Sequence, residues 1–283
     1  MMIQLAIGDA YGGGFEYAPK RMIRAQNDLS AYAQHPRFAR APGRYTDDTQ
    51  MALAIAELMA DEAEWTREEL ARRFYAVFAR DPREGYARRF HAFLTEIDGP
   101  EELLARIVPT SEKSGAAMRS GPIGLYANEE DVLGRADLQA RITHDTPGGR
   151  AAAHAAALAT HHFARRDGAP EDLPEYLAER LEDAVWLEPW TKSVGPLGMM
   201  SARAAVGLLA THDSLSELLR ACVDLTGDVD TVATIALGAA SCSTRYAQDL
   251  PRVLHEGLEE GDYGRGYLAA LDARLMAAVG LTA

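Results

Sequence analysis

Two short acidic clusters are the residues of this sequence best suited to chemistry: Thr46-Asp47-Asp48-Thr49 and Gly227-Asp228-Val229-Asp230-Thr231. Each stands where a loop meets an apolar stretch of helical spacing, so part of their composition has an ordinary explanation. Thr and Asp cap helix N-termini, and a carboxylate is favoured at the positive end of the helix dipole. One cap needs one short polar side chain, however, and adjacent carboxylates repel unless a positive charge lies between them. Two such clusters, rich in hard oxygen donors and free of His and Cys, point to a site for Mg²⁺ or Mn²⁺.

Three further segments could serve a ligand. Gly8-Asp9-Ala10-Tyr11-Gly12-Gly13-Gly14-Phe15-Glu16 reads either as a flexible turn or as backbone that approaches a ligand closely, with Glu16 presented beside it. It is not the dinucleotide fingerprint, because no strand precedes it and the spacing differs. Ser111-Glu112-Lys113-Ser114-Gly115-Ala116-Ala117-Met118-Arg119 leads Ser and Gly into a helix, leaving free N–H groups that suit a phosphate, with Lys113 and Arg119 as local cations. A helix start with surface bases explains the same residues. Thr143-His144-Asp145-Thr146-Pro147 is a cap with Pro at the first helical position, and His144 could also touch a ligand. His154 and His161 share a helical face, but no Glu completes a zinc pattern, so both read as structural. Trp186 and Trp190 read as core aromatics at a helix end, and Tyr11, Phe15 and Tyr126 are equal candidates for stacking on a base.

These residues must be held by helices. The 283 residues include 51 Ala against 20 Val plus Ile, a balance that favours helix over strand. Apolar spacing predicts helices near 47–60, 66–80, 114–127, 147–166, 173–187, 196–210, 214–224, 230–246 and 264–279, punctuated by Pro and Gly. No run alternates with the period of a half-buried strand. The expectation is one all-α domain over 1–283. The 29 basic and 42 acidic side chains give a formal charge of −13, which argues against nucleic-acid or anionic-membrane partners. Cys222 and Cys242 are too few for a disulfide framework or a thiolate metal site. The start lacks a basic region followed by an apolar run, and no long apolar stretch follows, so a cytoplasmic protein without a signal peptide or membrane span is expected.

In chain order, Gly8-Asp9-Ala10 with Glu16, Thr46-Asp47-Asp48-Thr49, Gly115-Ala116-Ala117-Met118-Arg119, Thr143-His144 and Asp228-x-Asp230-Thr231 resemble the ADP-ribosylglycohydrolase family, from about Ile3 to about Ser241. Two departures are visible: Lys113-Ser114 stand where the family's phosphate loop usually has Gly-Asn, and the Gly-rich segment after Thr231 is only loosely kept at Ser241-Cys242-Ser243. The resemblance implies an orthogonal helical bundle with a central metal-containing cleft, in which two Mg²⁺ or Mn²⁺ ions are held by Thr46, Asp47, Asp48, Asp228, Asp230 and Thr231. It implies catalytic roles for Glu16, Asp228 and Asp48, and substrate contacts from Ser111, Lys113, Ser114, Gly115, Met118 and His144. The reaction implied is hydrolysis of the bond joining ADP-ribose to an acceptor, ADP-ribosyl-arginine foremost, on a protein or a small conjugate. Other ADP-ribose linkages (to serine, or in O-acetyl-ADP-ribose) and a non-catalytic structural or toxin-masking role are the alternatives, because a fold alone does not establish catalysis.

Overall fold

Fifteen α-helices and three short 3₁₀ turns make up the regular structure of the computed structural model, which describes residues 1–281. Among the described residues there is no strand, only isolated bridges such as Thr110 with His144 and Lys113 with Leu197. The protein is all-α. In chain order the helices are α1 (Met2–Gly13), α2 (Lys20–Gln26), α3 (Asp47–Ala60), α4 (Arg67–Arg80), α5 (Arg88–Glu96), α6 (Pro100–Arg106), α7 (Gly115–Met118) and α8 (Glu129–Ala140). There follow α9 (Pro147–Ala164), α10 (Leu173–Arg180), α11 (Gly198–Leu209), α12 (Leu215–Asp224), α13 (Val229–Ala240), α14 (Arg252–Gly257) and α15 (Arg265–Ala278).

Every helix expected from apolar spacing is present, three of them shortened. The 114–127 stretch becomes α7 plus a 3₁₀ turn over Gly121–Leu125, where Pro122 removes a donor. The 173–187 stretch ends at Arg180 and resumes as a 3₁₀ turn at Ala184–Leu187, because Glu182 takes a left-handed φ of 52°. Helix α13 ends at Ala240, where the Ser241 hydroxyl turns back to the Gly238 carbonyl at 2.9 Å.

Spacing did not reveal α1, α2, α5, α6, α8 or α14, and among these α1 corrects the reading of its glycines. Gly8 and Gly12 belong to neither a flexible turn nor a ligand loop. They lie on the helix face pressed against α13, where a Cβ at Gly8 would stand 2.5 Å from the Ala233 carbonyl oxygen and one at Gly12 2.6 Å from the Asp230 Cα. Glycine's low helix propensity conceals the helix, and its missing side chain lets the two axes close.

Every residue of α13 is buried, as are Asp47–Met59 of α3. Helix α13 lies among α1, α9, α11 and α12, while α3 is covered by α4 and α15. The Ala-rich faces of α9 and α13 permit close approach, and the outer helices bury single stripes, as α4 does with Leu70, Phe74, Val77 and Phe78. Asp272 of α15 accepts from the Met2 N–H at 2.8 Å and so anchors the start of α1. One buried apolar cluster runs from Met1 to Leu275. No helix among the described residues is long and apolar enough to cross a membrane.

Candidate active site

The packing of α1 on α13 sets the site, because it brings Asp9 beneath the start of α3. The Asp9 carboxylate accepts four hydrogen bonds there: from the Thr46 N–H at 2.9 Å, the Thr46 hydroxyl at 2.8 Å, the Thr49 N–H at 2.9 Å and the Thr49 hydroxyl at 2.6 Å. A buried carboxylate thus satisfies the orphan donors of the helix start. Thr46 also caps α3 by accepting from the Asp48 N–H at 3.3 Å. With those needs met from below, the Asp47 and Asp48 side chains are free to face the cleft. Gly85, at φ +109°, leaves room for this, since a Cβ there would fall 2.0 Å from Asp47 Oδ1.

The second acidic cluster opens α13. The Ser201 hydroxyl donates to Asp228 Oδ2 at 3.1 Å, and the Thr231 hydroxyl to Asp228 Oδ1 at 3.3 Å. Gly227, at φ +97°, makes the turn into the helix and accepts from the Tyr17 N–H at 2.9 Å, which holds the segment after α1 against it. Glu16 comes from that segment. Its carbonyl is 2.9 Å from His35 Nε2, while His35 Nδ1 accepts from the Arg37 and Phe38 N–H groups, so His35 is a neutral Nε2–H donor that pins Glu16. Glu16, Asp228 and Asp230 each bring one oxygen within 4.8 Å of the others.

Five carboxylates meet here, and burial and mutual repulsion raise their pKa values. Burial first, then Asp9 and the other site carboxylates, push Asp47 and Asp48 well above the usual range. Asp230 is raised by burial, Glu16 and Asp48, and Asp228 by burial against the hydrogen bonds it receives. Burial and the charge of Asp228 lift Glu16 to about 7, with Arg40 and Arg37 opposing. Asp48 Oδ1 is buried without any hydrogen-bond partner. Such a group wants a cation.

A cleft of about 1160 Å³ runs from this cluster to the Ser111–Arg119 segment. Glu16, Asp47, Asp48, Asp228, Asp230 and Thr231 line the acidic end, and Ser111, Lys113, Ser114, Gly115, Met118 and His144 line the opposite wall. Thr46 alone of the expected site residues is not on the cleft surface; it is fully buried beneath Asp48. In that opposite wall Arg119 is buried against the Phe74 ring with no carboxylate partner among the described residues, and burial lowers its pKa to about 9. His144 is also buried, its pKa lowered to about 3 by burial and then by Arg119.

Several functional residues carried no signal of their own in the sequence. Asp9 stood inside a quoted motif, yet its role depends on the α1–α3 contact. Gly85 and His35 lie in irregular loops. The aromatics that line the cleft are Tyr17, Tyr86, Phe90 and Phe93, not the stacking candidates Tyr11, Phe15 and Tyr126. Tyr11 and Phe15 are fully buried side by side, and Tyr126 packs edge-on against Trp65. Trp186 lies in the core as expected, and His161 is held by the Gly124 and Tyr126 carbonyls.

Compared with known proteins, the chain matches the family profile described as ADP-ribosylglycohydrolase over residues 1–282. It is 32% identical over 149 residues to "ADP-ribosylhydrolase ARH3" of Xenopus tropicalis, which covers 49% of this chain and 42% of that protein. It is 29% identical over 190 residues to the protein of that name in Bos taurus, 62% of this chain and 52% of that one. The match thus spans about half the length of these relatives. Over 262 residues it is 26% identical to "ADP-ribosyl-[dinitrogen reductase] glycohydrolase" of Rhodospirillum rubrum, 87% of this chain and 85% of the other. A solved structure described as "ADP-ribosylglycohydrolase-related protein complex" superimposes with a TM-score of 0.76 at 24% identity, covering 98% of this chain and 96% of that chain, which is a likeness of fold.

Proposed function

The chain belongs to the ADP-ribosylglycohydrolase family, and from that premise we propose that it is a metal-dependent hydrolase that frees ADP-ribose from an acceptor side chain, ADP-ribosyl-arginine foremost. The observation that carries this reading is the meeting of the α3 and α13 acidic starts with Glu16 in one cleft, opposite a wall suited to phosphate. The whole chain, 1–283, is read as one domain around that cleft.

The residues fit hard divalent cations. Every donor is an oxygen, several carboxylates are buried with raised pKa values, and Asp48 Oδ1 lacks a partner. Thr46, Asp47, Asp48, Asp228, Asp230 and Thr231 would hold two Mg²⁺ or Mn²⁺ ions. When bound, the ions offset the carboxylate charge that would repel a diphosphate and make water in the cleft more acidic. The chain's own groups do the rest. Glu16, whose carboxyl is raised by burial and by Asp228 in the metal-free cleft, is placed to hold a proton or to orient water at the anomeric carbon as a base. Asp228, fixed by Ser201 and Thr231, is the other candidate for that task. As the glycosidic bond breaks, the carboxylates stabilise the oxocarbenium-like sugar. Lys113 and the N–H groups of Ser114 and Gly115 supply the phosphate side. Arginine is favoured as acceptor because the exposed Tyr17 ring beside Glu16, Asp228 and Asp230 suits a guanidinium.

The test is release of free ADP-ribose from arginine-linked and serine-linked ADP-ribosylated peptides, with and without chelator. Release from the arginine linkage is expected, abolished by chelator and by the double substitution Asp47→Ala, Asp48→Ala. Absence of release from either peptide with Mg²⁺ and Mn²⁺ supplied would remove the proposal, and release from serine alone would move the acceptor assignment.

A further inference from the structure

The wall facing the acidic cluster contains a hydrogen-bond chain with only one consistent direction. Gln139 amide nitrogen donates to the Ala116 carbonyl at 3.0 Å and to the Ser120 hydroxyl at 2.8 Å, which turns its amide oxygen toward Arg119 Nε. Arg119 Nη2 donates to the Gln139 carbonyl at 3.0 Å and to Thr143 Oγ1 at 2.9 Å. A guanidinium has donors only, so Thr143 Oγ1 must accept from it. The Thr143 hydroxyl has one other polar neighbour, His144 Nδ1 at 2.6 Å. If its own proton points there, every group from Gln139 to His144 Nδ1 is satisfied and Nδ1 is the acceptor. The reverse arrangement, with Nδ1–H donating to the threonine, would strand the threonine proton in a buried place.

The consequence falls on the far side of the ring. With Nδ1 accepting, the imidazole proton sits on Nε2, and Nε2 is buried without a partner in the protein. His144 lines the cleft, and its Cε1–Nε2 edge faces Gly115: a Cβ at that residue would stand 3.0 Å from Cε1 and 3.3 Å from Nε2. We propose that Arg119 and Thr143 are positioning residues that lock His144 as a neutral Nε2–H donor, aimed at an anionic or hydroxyl oxygen of the ligand segment held beside Gly115. The recognition is then directional and not ionic: the ligand must offer a bare oxygen acceptor. His35, which pins the Glu16 carbonyl, and His144 are set in the same tautomer by different means, His35 by two backbone N–H groups and His144 by a buried arginine acting through a threonine.

The ligand part of this inference rests on the proposed ADP-ribose site, whereas the tautomer does not, so their failures are separable. Long-range ¹H–¹⁵N correlation on the ligand-free protein should show His144 with a protonated Nε2 and a bare Nδ1. Thr143→Val should release that preference and weaken ADP-ribose binding roughly tenfold, the effect of about one lost hydrogen bond. Thr143→Ser, which keeps the hydroxyl, should restore both the tautomer and the affinity. Arg119→Lys reports on the first link, but Thr143 carries the test because a buried arginine variant can fail to fold. A protonated Nδ1 in the wild type, or a Thr143→Val protein with unchanged tautomer and affinity, would overturn the inference. Should the wild type bind no ADP-ribose, the proposed function fails while the tautomer spectrum still decides the lock.

Discussion

Asp48 shows at the scale of one residue what the proposed metal site costs the fold. Its carboxylate is buried near Asp9, Asp47 and Asp228, and one oxygen has no partner. Without a cation such a charge opposes folding, so the ligand-free protein carries a local cost. Asp48→Asn keeps the shape and removes the charge. The metal-free variant should be more stable than the metal-free wild type, by about 1–2 kcal/mol, while Mg²⁺ no longer raises its unfolding temperature. Thermal scans of both proteins with and without Mg²⁺ check this, and equal metal-induced shifts would contradict it.

At the scale of elements, the site depends on how α1, α3 and α13 meet. Gly8 and Gly12 let α1 rest directly on the α13 backbone, and Asp9, one residue beyond Gly8, then reaches the exposed donors of α3. Asp9 Oδ2 takes three donors, two of them backbone N–H groups, so an amide nitrogen there would set donor against donor, and an amide oxygen in its place accepts more weakly than a carboxylate. Asp9→Asn should therefore cost about 2–4 kcal/mol in urea unfolding. It should also weaken Mg²⁺ binding, although Asp9 itself is not on the cleft surface. A variant that loses stability with metal affinity intact would show that Asp9 only braces the fold.

The whole molecule couples its charge balance to the occupancy of the cleft. Glu16 is raised to about 7 and Asp47, Asp48 and Asp230 well above the ordinary range, so the folded state holds protons that the unfolded chain has already lost. Stability from these groups is present at low pH and falls as pH rises through their folded pKa values. The histidines act in the opposite sense: burial lowers His35, His144, His154, His161, His162 and His255, so their contribution is lost as pH drops below the unfolded value of about 6.5. From pH 6.5 to 8.5 the carboxylates dominate. The metal-free unfolding temperature should fall across that range, and the increment produced by Mg²⁺ should grow, because its ligands must be ionised to bind. Differential scanning fluorimetry along the two pH series decides it; a constant Mg²⁺ increment would break the coupling.

Composition and spacing were enough to read the helical class, the helices α3, α4, α9 to α13 and α15, and the two acidic helix starts, because those follow from local propensity and from carboxylates too crowded for capping alone. Helix α1 was illegible for the same reason it matters: its glycines look like a loop until another helix lies against them. Likewise Asp9, His35 and Gly85 acquire their roles from partners 37, 19 and 38 residues distant in the chain, as in Asp9 with Thr46, His35 with Glu16 and Gly85 with Asp47. Side-chain type fixes what a residue can donate or accept, whereas only the close packing of helices far apart in sequence decides which donor meets which acceptor.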